Sequence, residues 1–288
     1  MKIKNCILFF LFYLLWIASY ASIVNKTLYI NRGLFTTVDN TTFPALAFNV
    51  SNGFVPQNAV IKITTNDSLI VKVINNDSLV HGFNVKYVSG VNHLINPADS
   101  IVDTLYFSAQ GVFIYYDNYL YPKNSYLGLA GMITVINSIT DKKYYWNIKE
   151  HQTQYNNALS AGLNVNWLQY TPNYFTINAY SYPDLIADTS AKINVMLGDT
   201  VHIFIINSGN SSHSLHFHGF HSKVLYSSSS NMMVNSEKET FPLKPMEAVL
   251  LEMIPDKIGQ YPVHDHNETA LSGGGKYPNG MLLIMNVN

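Results

Sequence analysis

The sequence predicts an all-β protein of two antiparallel β-sandwich domains in tandem. Three observations support this prediction: an aromatic-rich, charge-poor composition, short segments of alternating apolar and polar residues, and self-similarity between the two halves of the chain. Of the 288 residues, 48% are hydrophobic, 12% are charged and 20 are tyrosines. Aromatic and β-branched residues favour strands, whereas disordered segments and long soluble helices carry more charge.

The charge balance excludes one class of partner. The chain has 17 basic and 18 acidic residues, and the basic ones form no cluster along the sequence. Proteins that bind DNA or RNA neutralise phosphates with a basic face. Nucleic-acid binding is therefore excluded.

The first 21 residues have the three parts of a secretory signal peptide. Two lysines precede an apolar stretch from Ile7 to Ala18, and small residues at Ser19 and Ala21 suit cleavage after Ala21. The alternative, a membrane anchor, is disfavoured because the stretch is shorter than the roughly 20 residues that span a bilayer. Export to the periplasm or the exterior is expected, without a stable membrane anchor. Cys6 is the only cysteine, so the mature chain would have no disulfide and no thiolate metal ligand.

The two halves of the chain repeat each other. Shifting the sequence by 132 positions superimposes five residues of the first half on identical residues of the second: Ile61, Asp67, Ile74, Asn75 and His81 on Ile193, Asp199, Ile206, Asn207 and His213. Each stretch reads as two strands joined by a turn at its aspartate. Further along, Gly111 and Asp117 match Gly259 and Asp265, and Gly131-Met132 matches Gly280-Met281.

The repeat predicts the domain organisation. Following the signal peptide at 1–21, a first domain is expected at 22–140 and a second at 173–288. The connector at 141–172 contains Glu150–Gly162, which is expected to form one short helix that Gly162 caps.

Histidines are concentrated in the second domain. On a strand, residues two apart project to the same face, so His216 pairs with His218, and His264 pairs with His266. If the two strands lie side by side, four imidazoles converge, and neutral imidazole is a good ligand for Cu(II) and Zn(II). His213 has the opposite strand parity to His216. The isolated His93, His151, His202 and His221 are expected to be hydrogen-bonded or exposed residues rather than ligands.

The first domain lacks this set. The positions that repeat His213, His216 and His218 hold His81, Asn84 and Lys86. Those that repeat His264, Asp265 and His266 hold Tyr116, Asp117 and Asn118. A lysine is cationic at neutral pH, so the first domain cannot build the same site.

Together, these segments resemble a two-domain multicopper oxidase, a tandem of Greek-key cupredoxin (plastocyanin-like) domains that is related to copper nitrite reductases. Five segments carry the resemblance: Gly198-Asp199-Thr200, His213-x-x-His216-x-His218-Gly219, Gly259 to His266, Gly280-Met281, and Tyr174 to Pro183.

The resemblance implies a role for each matching position. His213 corresponds to a blue-copper ligand, and Met281 to its axial ligand. The ligands of a trinuclear copper cluster correspond to His216, His218, His264 and His266. Asp265 stands where the blue-copper cysteine is expected, and the next blue-copper histidine, expected near Ala270, is absent. A carboxylate cannot form the copper–thiolate bond of a blue site, so the electron-entry route of the family is closed.

We therefore expect a secreted copper-binding protein with its metal at His216, His218, His264 and His266. Asp265, His213 and Met281 are candidates for a second, weaker site, and His81 for a ligand contributed across a subunit interface. The resemblance also implies a homotrimer.

Two alternatives stay open at the level of the sequence. One is a copper-dependent oxidoreductase that oxidises a phenol or a metal ion at an open mono- or dinuclear site, with the loop Asn267–Asn279 as a lid. The other is a structural or interaction module that is zinc-bound or metal-free, since imidazole binds both metals.

Overall fold

The fold of two β-sandwiches is confirmed. The computed structural model describes residues 22–137, 140, 142–229 and 234–288. The predicted signal peptide and Cys6 lie outside the described residues. Among these residues, no helix is both long enough and apolar enough to cross a bilayer.

Strands dominate the described chain. The strands of the first sandwich are β1 (Ile23–Thr36), β2 (Thr42–Asn49), β3 (Val60–Ile63), β4 (Ser68–Asn75), β5 (His81–Val85), β6 (Asn92–Ile95), β7 (Ser100–Tyr106), β8 (Gly111–Tyr116) and β9 (Ala130–Val135). Those of the second are β10 (Lys143–His151), β11 (Tyr174–Ile177), β12 (Asn194–Val195), β13 (Val201–Asn207), β14 (His213–Phe217), β15 (Ser222–Ser227), β16 (Glu237–Lys238), β17 (Thr240–Leu243), β18 (Ala248–Met253), β19 (Gly259–Asp265) and β20 (Leu282–Val287). Short helices are α1 (Lys123–Leu127), α2 (Thr153–Ser160) and the 3-10 turns η1 (Trp167–Gln169), η2 (Asp184–Ala187) and η3 (Glu268–Leu271).

The strands form four sheets, two in each sandwich. Their orders are β2-β1-β4-β7 and β3-β9-β8-β5-β6 in the first, then β11-β10-β13-β18-β15-β16 and β12-β20-β19-β14-β17 in the second. The prediction is that the sheets are antiparallel, but each sheet also contains one parallel pair of strands. These pairs are β1 with β4, β3 with β9, β10 with β13, and β12 with β20. A parallel pair needs a long connection, which sequence alternation does not reveal.

The turn aspartates of the repeat have the same role in both sandwiches. Asp67 accepts hydrogen bonds from the backbone N–H of Thr64, three residues earlier. Asp199 accepts from the N–H of Met196 in the same way. Each carboxylate closes its turn by replacing a backbone acceptor, which is why aspartate recurs at this position.

The connector predicted at 141–172 has to be corrected. Its first part is β10, which pairs with β13 inside the second sandwich, as β1 pairs with β4 in the first. The second sandwich therefore begins at Lys143 rather than at 173. The ungapped shift missed β10 because the spacing from β10 to β13 differs from that between β1 and β4. The expected helix is α2, and Gly162 follows it with a positive φ of 81°, so that Leu163 donates back to the carbonyl of Ala158.

The sandwiches pack against each other through sheet faces. An apolar cluster joins Ile114 and Met132 of the first to Phe204 and Leu250 of the second. Every residue of β9 is buried, because one face of this strand lies in the first core and the other lies in this interface. The interface is thus apolar and continuous with both cores.

Candidate metal centre

Two adjacent strands of the second sandwich carry the histidine pairs. In the antiparallel pairing of β14 with β19, His216 lies directly opposite His264. The alternating neighbours Leu215, Phe217 and Val263 are buried in the core. Strand alternation therefore turns the histidines outward, away from the core.

The four imidazoles lie close together. Ring centroids are 4.6 Å apart for His216–His218 and for His216–His266, and 5.1 Å apart for His218–His264. The remaining contacts, His216–His264 and His264–His266, measure 5.8 and 5.9 Å. His218 and His266 are exposed, whereas His216 and His264 are half-buried. The cluster therefore lies open to solvent on the sheet surface.

One pair of rings is joined by a hydrogen bond. The Nε2 atoms of His218 and His264 lie 2.9 Å apart, so one of the two rings donates to the other. A single ion bound by both nitrogens would replace this hydrogen bond. In the observed rotamers, however, no three His, Cys, Asp or Glu side chains among the described residues are arranged to hold a metal ion. The other two imidazoles, those of the half-buried His216 and the exposed His266, must rotate to complete a site.

Hydrogen bonds through Nδ1 orient two of the rings. His216 Nδ1 lies 2.9 Å from Thr240 Oγ1, and His264 Nδ1 lies 2.9 Å from the backbone carbonyl of Asp265. Such contacts orient metal-binding imidazoles in proteins. Burial, followed by the neighbouring rings of His218 and His266, lowers the pKa of His216. This ring is therefore neutral at pH 7, which is the state that binds a metal.

His213 does not join the cluster, in contrast to its predicted role as a metal ligand. It is fully buried, its Nδ1 lies 2.5 Å from Asp265 Oδ2, and its Nε2 lies 3.1 Å from Glu150 Oε2. Burial opposes the charged imidazole, but the hydrogen bonds to Asp265 and then Glu150 outweigh it and raise the pKa of His213 to about 9. Both ring nitrogens are occupied, so His213 is a buried cation held between two carboxylates.

The atoms expected to bind a second metal ion, those of Asp265, His213 and Met281, are also engaged in hydrogen bonds or buried in the core. Asp265 Oδ1 accepts from the backbone N–H groups of Ser214 and Asn267, and its Oδ2 is taken by His213. Met281 is fully buried in the core of the second sandwich. Where the blue-copper ligands would converge, the chain places an ion-paired histidine instead.

The first sandwich contains the same arrangement. His81 is buried, with Nδ1 2.7 Å from Asp117 Oδ2 and Nε2 2.8 Å from Asp77 Oδ2. Burial opposes protonation, but Asp117 and Asp77 outweigh it and raise the pKa of His81. Arg32 pairs with Asp77 from the other side. Being fully engaged here, His81 is not presented as a ligand to another subunit.

The second carboxylate of each arrangement comes from a different part of the chain. The 132-residue shift places Gly209 opposite Asp77, and a Cβ at Gly209 would collide with the carboxylate of Glu150. Glu150 on β10 thus fills the space that Asp77 fills in the first sandwich. The sequence motifs do not identify Glu150 as a partner of His213. The one indication in the sequence is Gly209, which stands where the repeat predicts an aspartate.

The first-domain positions that repeat the four histidines serve packing. Lys86 Nζ donates to the carbonyl of Met246 across the domain interface, at 2.5 Å. Asn84 Nδ2 donates to the carbonyl of Val91.

The isolated histidines have hydrogen-bonded or surface roles. His93 pairs with Asp103, and His202 pairs with Glu252. His221 is exposed. His151 is buried and lines a cavity between the two sandwiches.

The loop Asn267–Asn279 does not have the open form expected of a lid. It begins with η3, and Gly273 and Lys276 form a backbone bridge. At Gly274 a Cβ would meet Asp39 and Tyr174, so the loop packs closely against its surroundings. The loop is a docked surface turn.

Comparisons with known proteins agree with this architecture. Residues 164–276 match the family model of multicopper oxidases. A blue copper oxidase from Nitrosomonas europaea is 21% identical, with a TM-score of 0.78, over 92% of this chain and 86% of its own. A copper nitrite reductase from the same organism is 18% identical, with a TM-score of 0.72, over 93% and 94%.

A laccase from Botrytis aclada is 15% identical with a TM-score of 0.70, and the match covers 93% of this chain but 53% of the laccase. No curated protein matches the chain by sequence. The resemblance stated from the motifs is confirmed in these terms: residues 164–276 match the multicopper oxidase family model, and the described chain shares its fold of two cupredoxin-like domains with these copper proteins.

Proposed function

We propose that this protein binds copper at His216, His218, His264 and His266 and functions without a blue-copper relay. The observation that supports the proposal most directly is the cluster of four imidazoles that the ends of β14 and β19 bring together, with neighbouring ring centroids 4.6 to 5.9 Å apart. The multicopper oxidase family match spans these residues and favours copper over zinc.

The donor set fits Cu(II). Four neutral imidazoles need no thiolate, and Cu(II) binds nitrogen donors more tightly than the other divalent first-row ions do. Bound copper would supply one-electron redox chemistry. The protein would supply the ligands, the hydrogen bonds of two of them to Thr240 and to the Asp265 carbonyl, and an open approach for small molecules.

The buried pairs next to the cluster have a supporting role. Asp265 lies between two ligands in the sequence, and its carboxylate is anchored by His213 on the core side. This anchoring fixes the backbone of β19, and therefore the Cα positions of His264 and His266. The copper-site geometry thus depends on an ion pair placed where a second copper would be in the resembled family.

The test is copper stoichiometry in a matched set of variants. The full chain should bind at least one Cu(II) per chain, with an EPR spectrum of nitrogen ligation and no intense blue absorption. His264→Ala combined with His266→Ala should abolish this binding. The matched control, His93→Ala combined with His221→Ala, removes two histidines outside the cluster and should leave it unchanged. Equal copper uptake by both double variants would refute the assignment.

Oxidase activity is a second candidate, favoured by the exposure of His218 and His266. An exposed metal can meet a small reductant directly, so a phenol or a metal ion is the expected class of substrate. Copper-dependent turnover that disappears in the cluster variant, and persists in the control variant, would support this activity. If neither protein shows turnover with any reductant, the function is copper binding alone.

Export and trimer formation stay predictions. N-terminal sequencing of the secreted protein tests cleavage after Ala21. Light scattering of the purified protein tests the trimer.

A further inference from the structure

A cavity of about 270 Å³ lies between the two sandwiches, separate from the histidine cluster. Its first-domain wall is largely apolar and includes Phe35, Leu46 and Met132. Its second-domain wall includes Lys149 and His151, which lie on the same face of β10 because they are two residues apart. Cavities at domain interfaces that combine apolar walls with a few polar groups commonly bind small molecules.

Lys149 is a buried cation with no carboxylate partner. It is 7% exposed, and its Nζ donates to the backbone carbonyls of Ser125, at 2.9 Å, and Ser208, at 3.1 Å. Its neighbour Glu150 projects to the opposite face of β10, where it holds His213. A lysine ammonium has three donors; these carbonyls take two of them, and the ring of Tyr126 lies with its centroid 5.7 Å from Nζ. Buried charges are normally paired, and this one lines a cavity.

His151 supplies a second unsatisfied group. It is 3% exposed, and its Nδ1 is buried without any hydrogen-bond partner. Its ring packs at a tilt against the rings of Phe35 and Phe43, with centroids 5.2 and 5.0 Å apart. Burial, together with the charge of Lys149, lowers the pKa of His151 to about 3, so the ring is neutral. A neutral imidazole can donate one hydrogen bond from Nδ1.

The other charged group in the lining does not compete for Lys149. Asp188 is half-buried, and its carboxylate accepts hydrogen bonds from Ser190 and from Asn178 Nδ2. Asn178 in turn donates to the carbonyl of Tyr145, which places this group at the other end of β10 from Lys149. The end of the cavity near Lys149 is therefore electropositive.

We propose that this cavity binds a small organic carboxylate. The anionic oxygens accept hydrogen bonds from Lys149 and His151, and the hydrocarbon part lies against the apolar wall that the first domain provides. The ligand ties the two sandwiches together, because its two ends contact different domains. An inorganic anion would satisfy Lys149 but leave the apolar wall uncovered.

The experiment is isothermal titration calorimetry on the full chain after chelation of metals, so that binding to copper does not contribute. The probes are benzoate, its uncharged analogue benzamide, and chloride. Benzoate should bind with a Kd below about 1 mM, and benzamide and chloride should bind at least about 10-fold more weakly. Failure of benzoate to bind at about 10 mM would overturn the proposal, whatever the copper assays show.

Three variants locate the binding. Lys149→Met should abolish benzoate binding, and His151→Phe, which keeps the aromatic packing, should weaken it about 5-fold. Because Lys149→Met can disturb folding, Gln57→Trp provides an independent test: it fills the cavity from a half-buried position without touching the bonds of Lys149. If Gln57→Trp binds benzoate as tightly as the native chain, the ligand lies elsewhere and the proposal is wrong.

Discussion

The buried His213 pair makes a prediction about stability against pH. Folding raises the pKa of His213 from 6.5 to about 9, a shift worth about 3 kcal/mol at 1.36 kcal/mol per unit. Because the folded value is the higher one, this stabilisation is complete below pH 6.5 and is lost as the pH rises through about 9. Both carboxylates, Asp265 and Glu150, contribute to this stabilisation.

Glu150→Gln tests this linkage with little change in shape. The glutamine oxygen can still accept from the backbone N–H groups of Asn210 and Ser211, and its amide can donate to a neutral His213. What it removes is one of the two charges that favour the imidazolium. We expect Glu150→Gln to lower the free energy of unfolding by about 1–3 kcal/mol at pH 6 and by distinctly less above pH 9.

The measurement is urea unfolding of the native chain and the variant at half-unit steps from pH 6 to 10. The quantity to compare is the difference between the two proteins. Burial lowers the pKa of Lys149 to about 8, so its contribution to the free energy of unfolding rises with pH above about 8 in the native chain and in the variant. This trend is opposite to that of His213. Asp103→Asn, which removes the carboxylate of the half-buried surface pair with His93, is the control and should cost less than about 1 kcal/mol. A difference between native and Glu150→Gln that stays constant with pH would refute the reasoning.

Two further substitutions test the packing around the repeat and the domain interface. Gly209→Ala should lower the free energy of unfolding by about 1–3 kcal/mol, since its Cβ collides with the buried Glu150 carboxylate. The control Gly53→Ala has no atom within 4 Å of its Cβ and should cost little; equal losses in both would contradict this account. Lys86→Met should cost about 1 kcal/mol through its bond to the Met246 carbonyl and leave copper stoichiometry unchanged. Reduced copper uptake by Lys86→Met would mean that this lysine influences the site.

The strand pattern and the repeat can be predicted from the sequence because each depends on residues that are close together along the chain. Alternation along β14 and β19 is enough to place His216 with His218, and His264 with His266, on outward faces. The pairing of those strands followed from the family resemblance. The cluster that the structure shows is therefore largely a sequence prediction, although the ring rotations it still needs were not foreseen.

The errors of the sequence analysis concern contacts between distant segments. β10 was assigned to a connector because its parallel pairing with β13 spans about 60 residues and leaves no periodic mark. The family position of His213 predicts a metal ligand, whereas strand parity points its side chain inward. The sequence around His213 carries no sign of Glu150, the residue on β10 whose carboxylate contacts His213 Nε2.

The fold, the tandem organisation and the alternation that aligns the two histidine pairs follow from residue types and short-range periodicity, which a single strand or turn imposes. Which polar groups are satisfied inside the molecule depends on tertiary contacts: His213 and His81 are held between carboxylates, Lys149 donates to two backbone carbonyls beside a cavity, and His151 Nδ1 has no hydrogen-bond partner among the described residues. The reason is physical, since the state of a buried polar group depends on the partners that folding brings to it from other parts of the chain.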